Sequence, residues 1–430
     1  MLGSLRVPSM KKTKAAGSAT VCFLVLMLTG CGSFASETSP RAALDEFKIG
    51  VTFPLSGPVA RLGQESLNAT EVAVDLVNEA GGVNGQEVSI VSADTPDAAT
   101  GVNEVNRLID REGVGLIFGS YSSSISLAVS AVAERKSVVY WEEAAVDAEI
   151  TERDYRYVLR SNPTSDYYGE AALAFAEDTI APRLGVDPSE LRVALVSEDS
   201  SYGQAVNQAA TRAVEDRGMR LVANETYSQT TVDLSSLVLT VREAQPDVIV
   251  ATQYLNDAIL FSKQARDLGL RTKAIIGTGA GHSNADLAKS AGEDAEGILN
   301  VSTPIGIDTS KLPEEARTLG EEFQSRYREE FGADAGPSGQ QAFVGMHLLL
   351  TEVLPRAGGM DPDEIMAAAK DLDVPEGQLI NGWGARFGED GQNERAFPSV
   401  MQLQGGRLYT VSPEDISGSE LENIPLQQWE

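Results

Sequence analysis

Short apolar runs alternate with helical segments twice along this chain, and that alternation restricts the fold more than any other feature. Phe47–Phe53 places Ile49 and Val51 on one face of a strand, and Pro54-Leu55-Ser56-Gly57-Pro58 turns the chain. Ala69, Val72, Ala73, Leu76, Val77 and Ala80 then fall on one helical face, and Gly81-Gly82 stops that helix. Val88–Val91 is the next strand, and Thr95-Pro96-Asp97 opens a second helix whose inner face is Val102, Val105, Leu108 and Ile109. Strands at 114–118, 138–141 and 157–160 complete the first series. The second has helices at 165–180, 203–218, 233–244 and 256–268 and strands at 191–197, 220–223, 247–251, 273–277 and 298–301. This order is that of parallel sheets covered by helices on both faces, so the expected class is α/β, with two doubly wound lobes. Helices at 312–331, 338–356 and 361–372 follow. A strand at Trp383–Phe387, a turn at 388–391 and a hairpin closed at Gly405-Gly406 end the pattern. The acidic tail after Pro413 is expected to be loose.

At 430 residues the chain is too long for one core and suits two or three domains. Its 42% hydrophobic and 23% charged residues are ordinary for a soluble globular protein. A formal charge of −29 argues against nucleic acid as a partner and against an electrostatic hold on anionic lipid. The front differs from the rest. Arg6, Lys11, Lys12 and Lys14 precede an apolar run, Ala15–Leu28, that is short for a membrane span and has the order of a secretory signal. Leu28-Thr29-Gly30-Cys31 ends it and resembles a bacterial lipobox, which implies that Cys31 becomes the lipidated first residue; the alternative is an ordinary signal peptide with a chance cysteine. Residues 1–30 are therefore read as a lipoprotein signal peptide and 31–46 as a flexible tether. Cleavage removes Cys22, so no intramolecular disulfide is available.

The richest stretch chemically is Gly113–Ala145. Val114, Leu116, Ile117 and Phe118 form a buried strand, Gly119 turns the backbone, and Ser120, Ser122, Ser123 and Ser124 lie at the start of a helix. Free N–H groups and hydroxyls at a helix start receive a carboxylate or carbonyl, and open α/β sheets bind ligands at the carboxyl ends of their strands. The plain alternative is that the serines only cap the helix. Tyr140-Trp141-Glu142-Glu143 ends the next strand. Glu142 with Trp141 is read as a cleft pair, an acid beside a ring that can stack on a ring or a cation, while Glu143 is read as solvated. His282 and His347 are the only histidines and have neither a nucleophile nor metal-ligand spacing beside them. With no cysteine nucleophile and no complete dinucleotide fingerprint, the chain is not read as an enzyme, and no cofactor or metal is expected.

IGVTFPLSGPVARLG, AVDLVNEAGGVNGQEVSIVSAD, the serine loop, RYVLRSNPTSDYYG, VALVSEDSSYGQA and FGEDGQN follow one another in an order that resembles the periplasmic branched-chain amino-acid-binding proteins and their amide- and urea-binding relatives. The resemblance covers about residues 47–410. It implies a type I periplasmic binding fold: two lobes joined by a three-strand hinge, with 47–160 and 302–382 in the first and 161–301 and 383–430 in the second. It further implies a ligand in the cleft and delivery to an ABC permease in the membrane by a lipid-anchored monomer at the cell envelope. A sensory receptor that signals to a membrane partner is the alternative. Carried over position by position, the ligand contacts fall at Ser123 with Ser122 and Ser124, at a backbone carbonyl near Ala144, at Tyr202 and at Gln253-Tyr254. Val146 stands where amino-acid binders have a threonine, and Leu62 stands where they have an aromatic. Gly277-Thr278-Gly279-Ala280-Gly281 lacks the glutamate that pairs with an α-ammonium in those binders, so either the ligand has no ammonium or another acid serves, Glu142 or Glu143, with Glu142 favoured.

Overall fold

The computed structural model describes residues 47–283 and 285–429. The signal segment, Cys31 and the tether lie outside the described residues.

Two sheets carry the fold. The first contains β1 (Phe47–Phe53), β2 (Val88–Asp94), β3 (Leu116–Gly119), β4 (Val139–Glu142) and β5 (Val158–Arg160), in the all-parallel order β2-β1-β3-β4-β5. The helices α1 (Ala60–Glu79), α2 (Ala98–Arg107) and α3 (Ser123–Arg135) connect its strands. β3, β4 and β5 are buried along their whole length, as strands covered on both faces must be, whereas edge strand β2 keeps exposed positions.

The chain then enters the second lobe through α4 (Ser165–Phe175). β6 (Arg192–Glu198), α5 (Ser201–Asp216), β7 (Arg220–Tyr227), α6 (Ser235–Ala244), β8 (Val248–Thr252), α7 (Leu255–Asp267), β9 (Ala274–Gly277) and β10 (Leu299–Ser302) follow. It returns to the first lobe for α8 (Glu314–Phe331), α9 (Pro337–Leu348) and α10 (Pro362–Lys370). Its last strands, β11 (Ser399–Gln404) and β12 (Arg407–Ser412), form a hairpin that adds antiparallel to β10. The second sheet therefore runs β12-β11-β10-β9-β8-β6-β7. α9 buries every residue except His347 and packs along α1, because its AFVGMHLLL sequence has no polar face to turn to water.

The first and third passages between the lobes are bonded to each other. Arg160 N–H donates to the Gly391 carbonyl at 2.9 Å, Asn393 N–H to the Arg160 carbonyl at 2.9 Å, and the Gln392 amide to the Asn162 carbonyl at 2.8 Å. The second passage is held by the Gln340 amide on the Pro304 carbonyl at 2.8 Å.

Three expectations need correcting. Residues 383–387 form no strand; they make isolated bridges at Val374/Ala385 and Phe387/Asn393. Trp383, Ala385, Phe387 and Ala396 join the core of the first lobe, so the chain after 382 does not pass at once to the second. The tail is not loose: Leu426 and Trp429 are buried, Leu426 N–H donates to the Lys273 carbonyl, and the Trp429 indole donates to the Asp294 carbonyl at 2.9 Å. Between its acids, Ile424, Leu426 and Trp429 are spaced to lie along the core of the second lobe.

Candidate functional site

The carboxyl ends of both sheets face one cavity, with about 410 Å³ free of protein atoms when the space open to solvent is included. On the first lobe's side, β3 ends at Gly119, whose φ of +134° and contact with the Thr52 carbonyl (a Cβ would lie 2.1 Å from it) leave no room for a side chain. The serines that follow have separate duties. Ser120 and Ser126 are buried beneath the loop, Ser123 lines the cavity as the first residue of α3, and the Ser124 hydroxyl bonds Ser201 of the other lobe at 3.2 Å. Ser122 is the N-cap of α3, its side chain makes no capping bond, and its hydroxyl lies against the Tyr254 phenol.

Glu142 does not face the cavity, which corrects its reading as an ammonium partner. Its Oε1 accepts the backbone N–H groups of Glu143, Ala144 and Ala145 at 3.0, 2.8 and 2.7 Å. Its Oε2 accepts Ser120 N–H at 3.2 Å, the Tyr140 hydroxyl at 2.6 Å and the Ser126 hydroxyl. The side chain folds the loop after β4 around itself and thereby sets Ala144 and Val146 in the cavity wall. Arg160 fixes the far side of that loop, donating to the Asp147 carbonyl at 2.6 Å, to Thr151 at 2.9 Å and to Gln392 at 2.6 Å; full burial brings its pKa down to about 10. Trp141 is also corrected: it is a core residue, edge-on to Phe387 at 5.3 Å with its indole on Ser161. Leu62 and Gln253 are buried outside the wall, and the Gln253 amide donates to the Tyr227 hydroxyl at 3.0 Å.

On the second lobe's side, Tyr202 and Tyr254 stand together with ring centroids 5.3 Å apart. Tyr202 follows a turn in which Glu198 accepts Ser200 N–H at 2.7 Å and Gly203 N–H at 2.9 Å. Gly203 is required there, since a Cβ would lie 1.9 Å from the Glu198 carbonyl. The Tyr202 hydroxyl donates to the Thr278 carbonyl at 2.7 Å. Of the residues singled out in the sequence, Ser123, Ala144, Val146, Tyr202 and Tyr254 thus share one wall. The sequence reading missed Tyr121, Tyr168, Thr278, Ser302, Ser338 and Gln341. Tyr121 and Tyr168 lie inside the quoted motifs; Ser338 and Gln341 were signalled only as polar residues at the front of an apolar helix.

Glu143 is not solvated. It is fully buried, with the Ser66 hydroxyl nearby but without hydrogen-bond geometry to either carboxyl oxygen. Burial first, and then the charge of Glu142, hold its pKa well above the ordinary carboxylate range. A carboxyl raised in this way keeps a proton that the unfolded chain has released. Its favourable contribution is complete below about pH 4.3 and is lost as pH rises through the folded value. Glu143→Gln should therefore raise the melting temperature more at pH 8 than at pH 5. An equal change at both pH values, measured by calorimetry, would place no titration at Glu143. His282 and His347 are pushed down to about 4 by burial, which keeps both neutral.

Residues 46–407 match the family described as periplasmic binding protein. Leu/Ile/Val-binding protein homolog 8 of Brucella suis is 38% identical over 395 residues, 91% of this chain and 96% of the relative. Homolog 7 of Brucella abortus is 36% identical over 391 residues, 90% of this chain and 96% of the relative. Among solved structures, the branched-chain amino acid transporter substrate binding protein LivJ of Streptococcus pneumoniae, in complex with isoleucine, has a TM-score of 0.72 at 20% identity, covering 84% of this chain and 97% of its own. The leucine binding protein LivK of Thermotoga maritima has a TM-score of 0.73 at 23% identity over the same shares. Family match, identity and fold together make this chain a member of the periplasmic binding protein family, built on the type I fold of ABC-transporter solute-binding proteins and not an enzyme.

Proposed function

We propose that this protein is an extracytoplasmic solute-binding lipoprotein, anchored through Cys31, that captures a small polar solute and delivers it as a monomer to an ABC importer. The solute class is an amino acid, an amide or a small carboxylate. The observation that carries the reading is the cavity between the two lobes, walled by Ser123, Ala144 and Val146 from one and Tyr202 and Tyr254 from the other. The names of the Brucella relatives support the amino-acid end of this range. Ligand first meets the serine loop of the first lobe, and hinge closure brings the two tyrosines over it. Closure excludes water and strengthens each polar contact. A few charge-assisted hydrogen bonds at about 1.5–3 kcal/mol each, less the cost of ordering, reach micromolar affinity at about −8 kcal/mol.

A thermal-shift screen of amino acids, amides and carboxylates against the purified protein tests the reading, and a ligand found there is then titrated by calorimetry. Ser123→Ala should weaken its binding about tenfold or more, the loss of one hydrogen bond to a charged group. Unchanged affinity in that variant would remove the serine loop from the site.

A further inference from the structure

We infer that the solute held in this cavity carries no ammonium group and presents carbonyl or carboxylate oxygens instead, as a small carboxylate or amide does. The inference rests on the reading of the cavity as the solute site. Among the described residues, the wall contains no Asp, Glu, Lys, Arg or His; its polar groups are hydroxyls, four tyrosine phenols, the Gln341 amide and backbone. The four phenols are held above their ordinary pKa mainly by burial, Tyr168 at about 12, so they stay protonated, the Tyr202 proton being given to the Thr278 carbonyl.

Glu142, Glu198, Asp257 and Glu65, around the cavity, are engaged by donors. Glu142 already receives six donors. Glu198 holds the turn before α5, and Asp257 holds the start of α7, where it accepts Tyr254 N–H at 3.3 Å and the Tyr227 hydroxyl. Glu65 accepts Gly339 N–H at 3.0 Å in the first turn of α9. Glu143 carries no such bond, but it lies among Ser66 of α1 and Gly345 of α9 and is not in the wall. An ammonium closed into this space would exchange water for hydroxyl and carbonyl oxygens with no counter-charge, a costly transfer. A neutral carbonyl oxygen meets no such penalty, and a carboxylate, which also finds no counter-charge in the wall, is held only by hydroxyl and N–H donors. Phenol and serine hydroxyls surround it, and α3 begins in the wall at Ser123, with its Ser126 hydroxyl given to Glu142.

The test is a calorimetric titration of the purified protein with matched compounds. Leucine and phenylalanine are compared with 4-methyl-2-oxopentanoate and phenylpyruvate, which lack the ammonium, and with 4-methylpentanamide and phenylacetamide, which are neutral. The expected result is at least tenfold tighter binding of an oxo acid or amide than of its parent amino acid. The acid and amide arms then distinguish the two sources of the oxygen. An amino acid that binds as tightly as both of its partners overturns this inference and leaves solute capture standing. Absence of binding by all six compounds overturns the inference and counts against the capture of small polar solutes as well.

Discussion

Glu142→Ala should lower the stability of the protein by about 3–5 kcal/mol, since several buried backbone donors worth about 1–3 kcal/mol each lose their acceptor, and should abolish solute capture with it. The side chain is fully buried, and all six of its partners are donors. Alanine leaves four backbone N–H groups without an acceptor in a loop that has no other regular pairing. The Tyr140 and Ser126 hydroxyls can turn to Ser120, which lies 3.2 and 3.3 Å away, so the backbone groups dominate the loss. Glu142→Gln separates geometry from charge. Its carbonyl oxygen can serve the three N–H groups of residues 143–145, but its amide nitrogen then faces Ser120 N–H, which cannot turn round. About 1–3 kcal/mol is expected, the cost of one unsatisfied buried donor. Urea denaturation of the three proteins gives these differences. A loss below about 1 kcal/mol in Glu142→Ala would mean that the loop is held from elsewhere, with Arg160 the first place to look.

Glu142 also marks the limit of what the sequence discloses. The period of apolar residues identified both sheets, because strands covered on two faces and helices with one apolar face leave signatures within a few residues. Ser123 was legible because it lies at a strand-to-helix junction, where an α/β sheet opens, whereas Tyr202 and Tyr254 were signalled only by the family resemblance. An acid beside such a junction is ambiguous in sequence: it can face a ligand or tie up loop amides. The choice depends on whether the loop turns back on the side chain, which no local pattern encodes. Trp141 was misplaced for a related reason, since its burial is completed by Phe387, far along the chain. Ser338 and Gln341 reach the cavity only because α9 packs on α1 after the chain has crossed between lobes twice. Contacts of that range have no trace in spacing.

Tyr202→Ala should cost the ligand about a hundredfold in affinity, close to 2.8 kcal/mol, if closure of the second lobe over the solute is what traps it. The ring is buried against Tyr254, and its hydroxyl holds the Thr278 carbonyl, so it joins two of the loops that form the upper wall. Removing it takes away apolar cover, lets water into the closed cavity and frees the 278–280 turn. Tyr202→Phe keeps the ring and loses only the bond to Thr278, so its affinity should fall less than tenfold. The alanine variant is also expected to melt earlier without ligand, because a buried ring is lost, and its affinity is therefore measured well below that temperature. Calorimetry on the two variants decides which part of the side chain matters. Equal losses would assign the effect to the hydroxyl and the 278–280 turn, and wild-type affinity in Tyr202→Ala would mean that the second lobe does not close on the solute through this residue.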